Sequence, residues 1–380
     1  MREATAAKRV SAAEGGTLCT HEVRLSGRQW ILAIALIAAA FLSLPLVWQG
    51  IERFRPAADY RIPYALSSDY WFFGRYCRWA ASRADTLVIG DSVVWGQYVG
   101  KDQTLPHCLN RLAGRDRFVN MGVDGMHPAA LAGLIEYYGR AISGKNVIVY
   151  CNLLWMSSKR HDLQVEKEFQ FNHPALVPQF SPKIPCYKAS YSRRFSIAVQ
   201  RLVPLLAWTD HLRVAYFDQM SIPAWTVKNP YDSLLKAALR GLPAPDDGPH
   251  QEPVQWTERG LAKQDFPWVQ LDTSFQWRSF QRMLETLQAR GNRLLVVVGP
   301  FNEHMLEPGS LEAYARLREG VAAWLREHGI AHYVAPVLAS EDYADASHPL
   351  SKGYAVLAKE LFVEAAFARF DAEERGNHVP

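Results

Sequence analysis

The chain has 380 residues, 49% of them hydrophobic and 21% charged, with 42 Lys+Arg against 38 Asp+Glu. That balance excludes wholesale disorder, a collagen repeat and a coiled coil, and the length suffices to bury a core in one large domain or two modest ones. A net charge of +4 gives no reason to expect nucleic acid, and five cysteines without a C-x-x-C pair exclude a zinc ribbon or a dense disulfide scaffold.

The first element is apolar. Residues 30–47 read WILAIALIAAAFLSLPLV, carry no charge, and are followed by Trp48. An uncharged run of about 18 residues, rising ~1.5 Å per residue, just crosses a hydrocarbon core of ~30 Å. Trp30 and Trp48 bracket it as interfacial aromatics do. Pro45 sits near its end, where a kink costs least. The run is long for a cleaved signal peptide and no A-x-A site follows it. The expectation is an N-terminal tail (1–29), a transmembrane anchor (30–48) and a juxtamembrane linker (49–83). Lys8, Arg9, Arg24 and Arg28 precede the anchor, and Arg53, Arg55 and Arg61 follow it, so the positive-inside rule is nearly balanced. The topology adopted puts the tail in the cytoplasm, where its basic residues can touch anionic headgroups, and the body outside. Cys19 then stays inside and Cys77, Cys108, Cys151 and Cys186 are exported, with no pairing readable from sequence.

From residue 84 short apolar runs alternate with amphipathic stretches. Buried strands are expected at 85–90, 117–121, 146–151, 293–298 and 330–335, each apolar on both faces as parallel strands under helices are. Helices are expected at 128–142, 274–290, 310–328 and 351–370, with Gly291-Asn292 as a stop. The alternation predicts an α/β fold, a three-layer α/β/α sandwich with a parallel sheet. Residues 156–270 break the pattern with many prolines and aromatics, and only 202–213 and 231–239 suggest short helices. This stretch is expected as an insertion in a body spanning 84–370: a lid or substrate wall, or a packing annex. Its neighbourhood holds Trp155, Trp208, Trp225, Trp256, Trp268 and Trp277, which could stack sugar rings or fill a core. His161, Asp162 and His173 lack metal-ligand spacing and are expected as solvated polar positions. Residues 371–380 are expected as a polar tail.

Four pieces carry chemistry. The first strand ends in Gly90-Asp91-Ser92-Val93-Val94-Trp95-Gly96, so Ser92 sits at the C-terminal end of a buried strand, where α/β folds place their chemistry. It is equally the place of an N-cap serine. Asp345 precedes His348 by three residues, a spacing that lets a carboxylate hold an imidazole on one turn, or an ordinary capping Asp beside a surface His. Asn120-Met-Gly122-Val-Asp-Gly125 follows the second strand, and its glycines admit a backbone N–H close to a substrate. Asn152 follows the third strand and offers a neutral donor suited to an oxyanion.

In this order the four pieces resemble the SGNH/GDSL hydrolase family. Gly90-Asp91-Ser92 matches its first block and Asp345-x-x-His348 its last. The second block resembles the family's N-x-x-x-x-G and points to Gly125 rather than Gly122. The third departs: Tyr150-Cys151-Asn152-Leu153 stands where the family often has G-x-N-D. The resemblance covers about 84–155 and 292–365 and says nothing of the insertion. It implies an SGNH/flavodoxin-like fold, Ser92 as nucleophile, His348 as base and then acid, and Asp345 as the orienting carboxylate. It implies an oxyanion hole of the Ser92 N–H, the Gly125 N–H and the Asn152 side chain, with neither cofactor nor metal. Read with the anchor, it suggests a serine esterase or O-acyltransferase acting on an ester-bearing glycan or lipid of a bacterial envelope, acetyl being the expected acyl group. The competing reading is a non-catalytic anchored module that binds a glycan or a partner protein.

Overall fold

The computed structural model describes residues 25–238 and 240–376. The basic positions Lys8, Arg9 and Arg24, with Cys19, lie outside the described residues, as does the last part of the expected C-terminal tail.

The apolar run forms helix α1 (Gly27–Ile51), longer at both ends than the expected 30–48. Ser26 and Gln29 cap its start reciprocally. Among the described residues it is the one helix long and apolar enough to cross a membrane. Residues 49–83 are more than a linker. They contain α2 (Tyr70–Arg83), whose Phe72, Phe73, Tyr76, Cys77 and Ala80 are buried. The polar letters between these residues hid a helix whose apolar face is completed only by the sheet.

The body then runs β1 (Thr86–Gly90), α3 (Ser92–Trp95), α4 (Leu105–Ala113), β2 (Phe118–Gly122), α5 (Pro128–Tyr137) and β3 (Asn146–Cys151). The insertion follows with α6 (Tyr191–Leu202), α7 (Pro204–Tyr216), α8 (Ile222–Lys228) and α9 (Leu234–Ala238). The chain returns through α10 (Phe275–Ala289), β4 (Arg293–Val298), α11 (Pro308–Glu327), β5 (Ala331–Val334), α12 (Ser351–Val363) and α13 (Ala365–Gly376). All five expected strands form, within a residue or two of their expected bounds. The expected helix at 128–142 ends at Tyr137, and the one at 351–370 is interrupted at Glu364 and resumes into the segment expected as a polar tail.

The strands make one parallel sheet in the order β2-β1-β3-β4-β5. Alternation along β1 sends Leu87 and Ile89 into a core with α2, α5, α10 and α11. Val88 faces the other way, into a core with α4, α12 and α13. Both faces are therefore covered, which is why the central strands β1, β3 and β4 read as nearly continuous apolar runs, and the result is the three-layer α/β/α sandwich.

The parallel sheet brings the loops after β1, β2 and β3 to one edge. Gly90 is required there. A Cβ on it would lie 2.4 Å from a Val94 methyl, because the chain turns at once from β1 into α3. Gly122 is as constrained, since a Cβ would lie 2.3 Å from the Trp95 backbone nitrogen. The four cysteines of the body, Cys77, Cys108, Cys151 and Cys186, are free and buried.

Candidate active site

Asp91 caps α3, accepting the Val93 N–H at 3.0 Å, and this turn presents Ser92 at the sheet edge. The Ser92 hydroxyl is 2.8 Å from His348 Nε2. His348 Nδ1 is 2.8 and 2.9 Å from the two Asp345 oxygens. An ionised carboxylate only accepts, so Nδ1 carries the proton and Nε2 is left to accept from the serine hydroxyl. Residues 256 apart in sequence thus form one relay.

The Asp345 loop is tied down from several sides. Asp345 also accepts the Ser347 and His348 backbone N–H groups at 2.9 and 3.0 Å. Burial alone would push its carboxyl up, but His348 and these N–H donors bring it down to about 2. Burial likewise disfavours the His348 imidazolium, yet Asp345, with Asp91 and Asp124 behind it, raises His348 above its ordinary value. The loop after β4 braces the acid from behind. Asn302 donates its side-chain amide to the Asp345 carbonyl at 3.1 Å, and its N–H bonds the Ala346 carbonyl at 2.9 Å. Asn302 was invisible to motif reasoning, because it touches backbone alone. Tyr98 stands edge-on to the His348 ring, 5.2 Å between centroids, and Arg259 of the insertion lies over Tyr98 at 4.8 Å.

Asn152, expected as an oxyanion donor, makes contacts that its position did not announce. One N–H of its side-chain amide goes to Asp91 Oδ2 at 2.7 Å, and its oxygen accepts the Leu154 N–H at 3.0 Å. The same Asp91 oxygen accepts the Trp155 indole N–H at 2.9 Å. The loop after β3 is therefore held by Asp91, the residue before the serine, which also takes the Trp155 indole N–H. The Asn152 amide keeps one more N–H to give. Gly125 adopts φ +67°, and a Cβ there would lie 2.4 Å from Asn172 Nδ2, so the position is closed to a side chain on both counts. Asn120 is structural: it bonds the Val94 carbonyl and the Gly122 N–H, each at 2.9 Å.

The insertion supplies much of the surroundings. His173 Nε2 donates to the Asp124 carbonyl beside Gly125 at 2.8 Å, which leaves Nδ1 to accept the Tyr70 hydroxyl at 3.1 Å. The His250 and Gln251 N–H groups both reach the Gln97 carbonyl at 3.0 Å. Arg61, expected as a membrane-flanking charge, is fully buried. It bonds the Gly96 and Val99 carbonyls at 3.0 and 2.8 Å and stacks over Trp95 at 4.4 Å. The expectation of solvated polar positions at 161, 162 and 173 fails. Asp162 is buried and caps α10 through the Phe275 and Gln276 N–H groups, both at 2.9 Å, while His161 meets Ser157 at 2.7 Å. Asp162 and His161 sit against the start of α10, and His173 is held by Tyr70 and the Asp124 carbonyl, so packing claims all three. Of the six tryptophans, Trp225, Trp256, Trp268 and Trp277 are buried, Trp208 packs on Trp48, and Trp155 stands half-buried beside Asp91.

No protein-family model matches the chain, and no curated protein matches it. Among solved structures, the chain is similar to one described as a lipolytic protein of the G-D-S-L family from Desulfitobacterium hafniense DCB-2. The identity is 12%, the TM-score 0.36, and the match covers 75% of this chain and 99% of that one. At that level of likeness, the chemistry rests on the site's own geometry.

Proposed function

We propose that the protein is a membrane-anchored serine hydrolase of the SGNH type that cleaves or transfers an ester-linked acyl group. The observation that carries this reading is the unbroken relay from Ser92 Oγ through His348 to Asp345. A serine hydroxyl is a poor nucleophile until a base takes its proton. His348 Nε2 takes that proton as Ser92 Oγ attacks the ester carbonyl carbon. The oxyanion that forms is met by the Ser92 and Gly125 N–H groups and the remaining Asn152 N–H. His348 then protonates the departing alcohol, leaving an acyl-Ser92 ester. Water, or a sugar hydroxyl, attacks that ester with His348 again as base, and the serine proton returns.

The substrate class we infer is an acylated glycan or lipid of a cell envelope, with acetyl as the acyl group and the body outside the membrane. The anchor and Trp155 support this reading, since a half-buried indole bonded to Asp91, the residue before the serine, is of the kind that stacks on sugar rings. The aromatic support is one residue rather than six. Labelling of the full chain with a fluorophosphonate probe tests the proposal. Adduct on Ser92, abolished by Ser92→Ala and by His348→Ala, is expected. A folded wild-type chain that neither labels nor turns over aryl acetates refutes it and leaves a binding module.

A further inference from the structure

Helices α7–α9 gather around the foot of α1, and α6 packs on α7. The Trp48 ring meets Trp208 and Tyr216 edge-on, at 6.0 and 5.7 Å between centroids. Phe217, Trp225 and Ala237 complete a small core with Trp48 against it. Pro45 is the buried residue of α1, and it lies three residues inside the apolar run. Helix α7 packs on α1, and the burial along α1 extends to Pro45, roughly 4–5 Å past Trp48 at ~1.5 Å per residue.

The outer surface of this collar is unlike the rest of the body. Tyr191, Phe195, Leu202, Val227, Tyr231 and Leu235 are each at least 66% exposed. Ten of the fifteen exposed large apolar side chains outside α1, among the described residues, fall within 180–235. Residues 190–240 hold seven Lys and Arg against three Asp, so the chain's entire formal excess of +4 is concentrated here. Apolar side chains interleaved with basic ones, continuous with a spanning helix, fit the boundary between anionic headgroups and acyl chains.

We propose that α6–α9 form an interfacial collar that seats the body on an anionic bilayer around α1. Exposed apolar side chains enter the headgroup boundary, and Lys228 lies on lipid phosphates beside Lys236 and Arg240, which share the one carboxylate of Asp232 at 3.6 and 3.4 Å. This rests on α1 crossing the membrane. The collar holds the sheet edge that carries Ser92 toward the bilayer. Tyr70, at the start of α2 beside the anchor's exit, bonds His173, which bonds Asp124 next to Gly125. An acyl acceptor or donor at the membrane surface would then meet the site without the body lifting away.

The test uses the full chain with Cys19→Ser, the cysteines of the body being buried, reconstituted into phosphatidylcholine/phosphatidylglycerol vesicles. A polarity-sensitive dye is placed on single cysteines at Leu36→Cys in the anchor, Val227→Cys and Leu235→Cys in the collar, and Glu327→Cys at the opposite sheet edge. Blue-shifted emission and loss of intensity with acyl-brominated lipid at 36, 227 and 235, but not 327, is the expected result. The shift at 227 and 235 should weaken in pure phosphatidylcholine. Quenching at 36 alone overturns the collar and leaves the anchor standing. Shielding of 227 and 235 from aqueous iodide without bromolipid quenching assigns the face to a second copy or another protein and overturns it too. Absence of quenching at 36 removes the anchor and the collar together.

Discussion

Two buried histidines in this molecule sit against carboxylates and do opposite things. His348, at the sheet edge, gives one ring nitrogen to Asp345 and the other to the Ser92 hydroxyl. His211, at the exit of α1, gives Nδ1 to Asp69 at 2.6 Å and Nε2 to Glu52 at 2.8 Å. Two acceptors oblige His211 to carry both protons. Burial would push it down, but Asp69 and Glu52 hold it at about 9. Arg75 and Tyr216 also bond Glu52, so the cluster ties the anchor's end to α2 and α7. Burial is common to both histidines and settles nothing about role. The second partner decides: a hydroxyl leaves a base free to accept a proton, whereas a carboxylate locks in a cation.

The contrast breaks most visibly at the serine. Ser92→Ala should lower ester turnover by about 10⁶-fold, the loss typical of removing a triad nucleophile, with the circular-dichroism melt unchanged. Next comes Asp345→Asn, expected to cost about 10⁴-fold in kcat by favouring the wrong tautomer. It should also move the acid limb of kcat/KM. Wild-type activity should fall at acid pH as His348 is protonated, at a pH above the ordinary histidine value. Without the Asp345 charge that limb shifts to lower pH, and an unmoved limb would assign it to another group.

At the other histidine, His211→Gln should destabilise the full chain by about 3–5 kcal/mol, because two buried carboxylates lose their cation. Chain that remains folded should still label at Ser92. Lost labelling in folded protein would mean the cluster reaches into catalysis. Asn152→Ala should cost about 10²–10³-fold in turnover, as one oxyanion donor does. Loss of probe adduct stability with little change in turnover would instead assign Asn152 to holding Asp91. The smallest effect is on stability against pH. His211 has a folded value near 9 against an ordinary 6.5. Its contribution is complete below about 6.5 and is lost as pH rises from 6.5 to 9. A wild-type Tm that declines across that window, with a flat profile in His211→Gln, checks it.

Much of the site was legible in the chain. Ser92, Asp345 and His348 stand in short motifs whose spacing reflects one turn of backbone, and Asn152 and Gly125 follow runs that read as strands. What stayed hidden acts through the backbone or through distant partners. Asn302 bonds carbonyls, Trp155 reaches Asp91 across 64 residues, and Arg61 binds the loop beyond α3. None of these contacts leaves a pattern in its own neighbourhood. His161, Asp162 and His173 look solvated among the prolines for the same reason: Asp162 is claimed by the start of α10, His161 by Ser157, and His173 by Tyr70 and the Asp124 carbonyl. The helix α2 was missed because its apolar face is split by Arg75, Arg78 and Trp79, which find partners only in the folded molecule.

Local periodicity determined the apolar helix, the five strands and the parallel α/β architecture, because hydrophobic burial acts on neighbours along one element. Short spacing put the pairing of Asp345 with His348 within reach, because i to i+3 lies on one turn of backbone. The tertiary structure decided that this histidine meets Ser92, that His211 is a locked cation, and that the insertion folds around the anchor. Each of these depends on which distant groups share a small volume, and electrostatics at 3 Å is set by that company rather than by the residue's own surroundings in the chain.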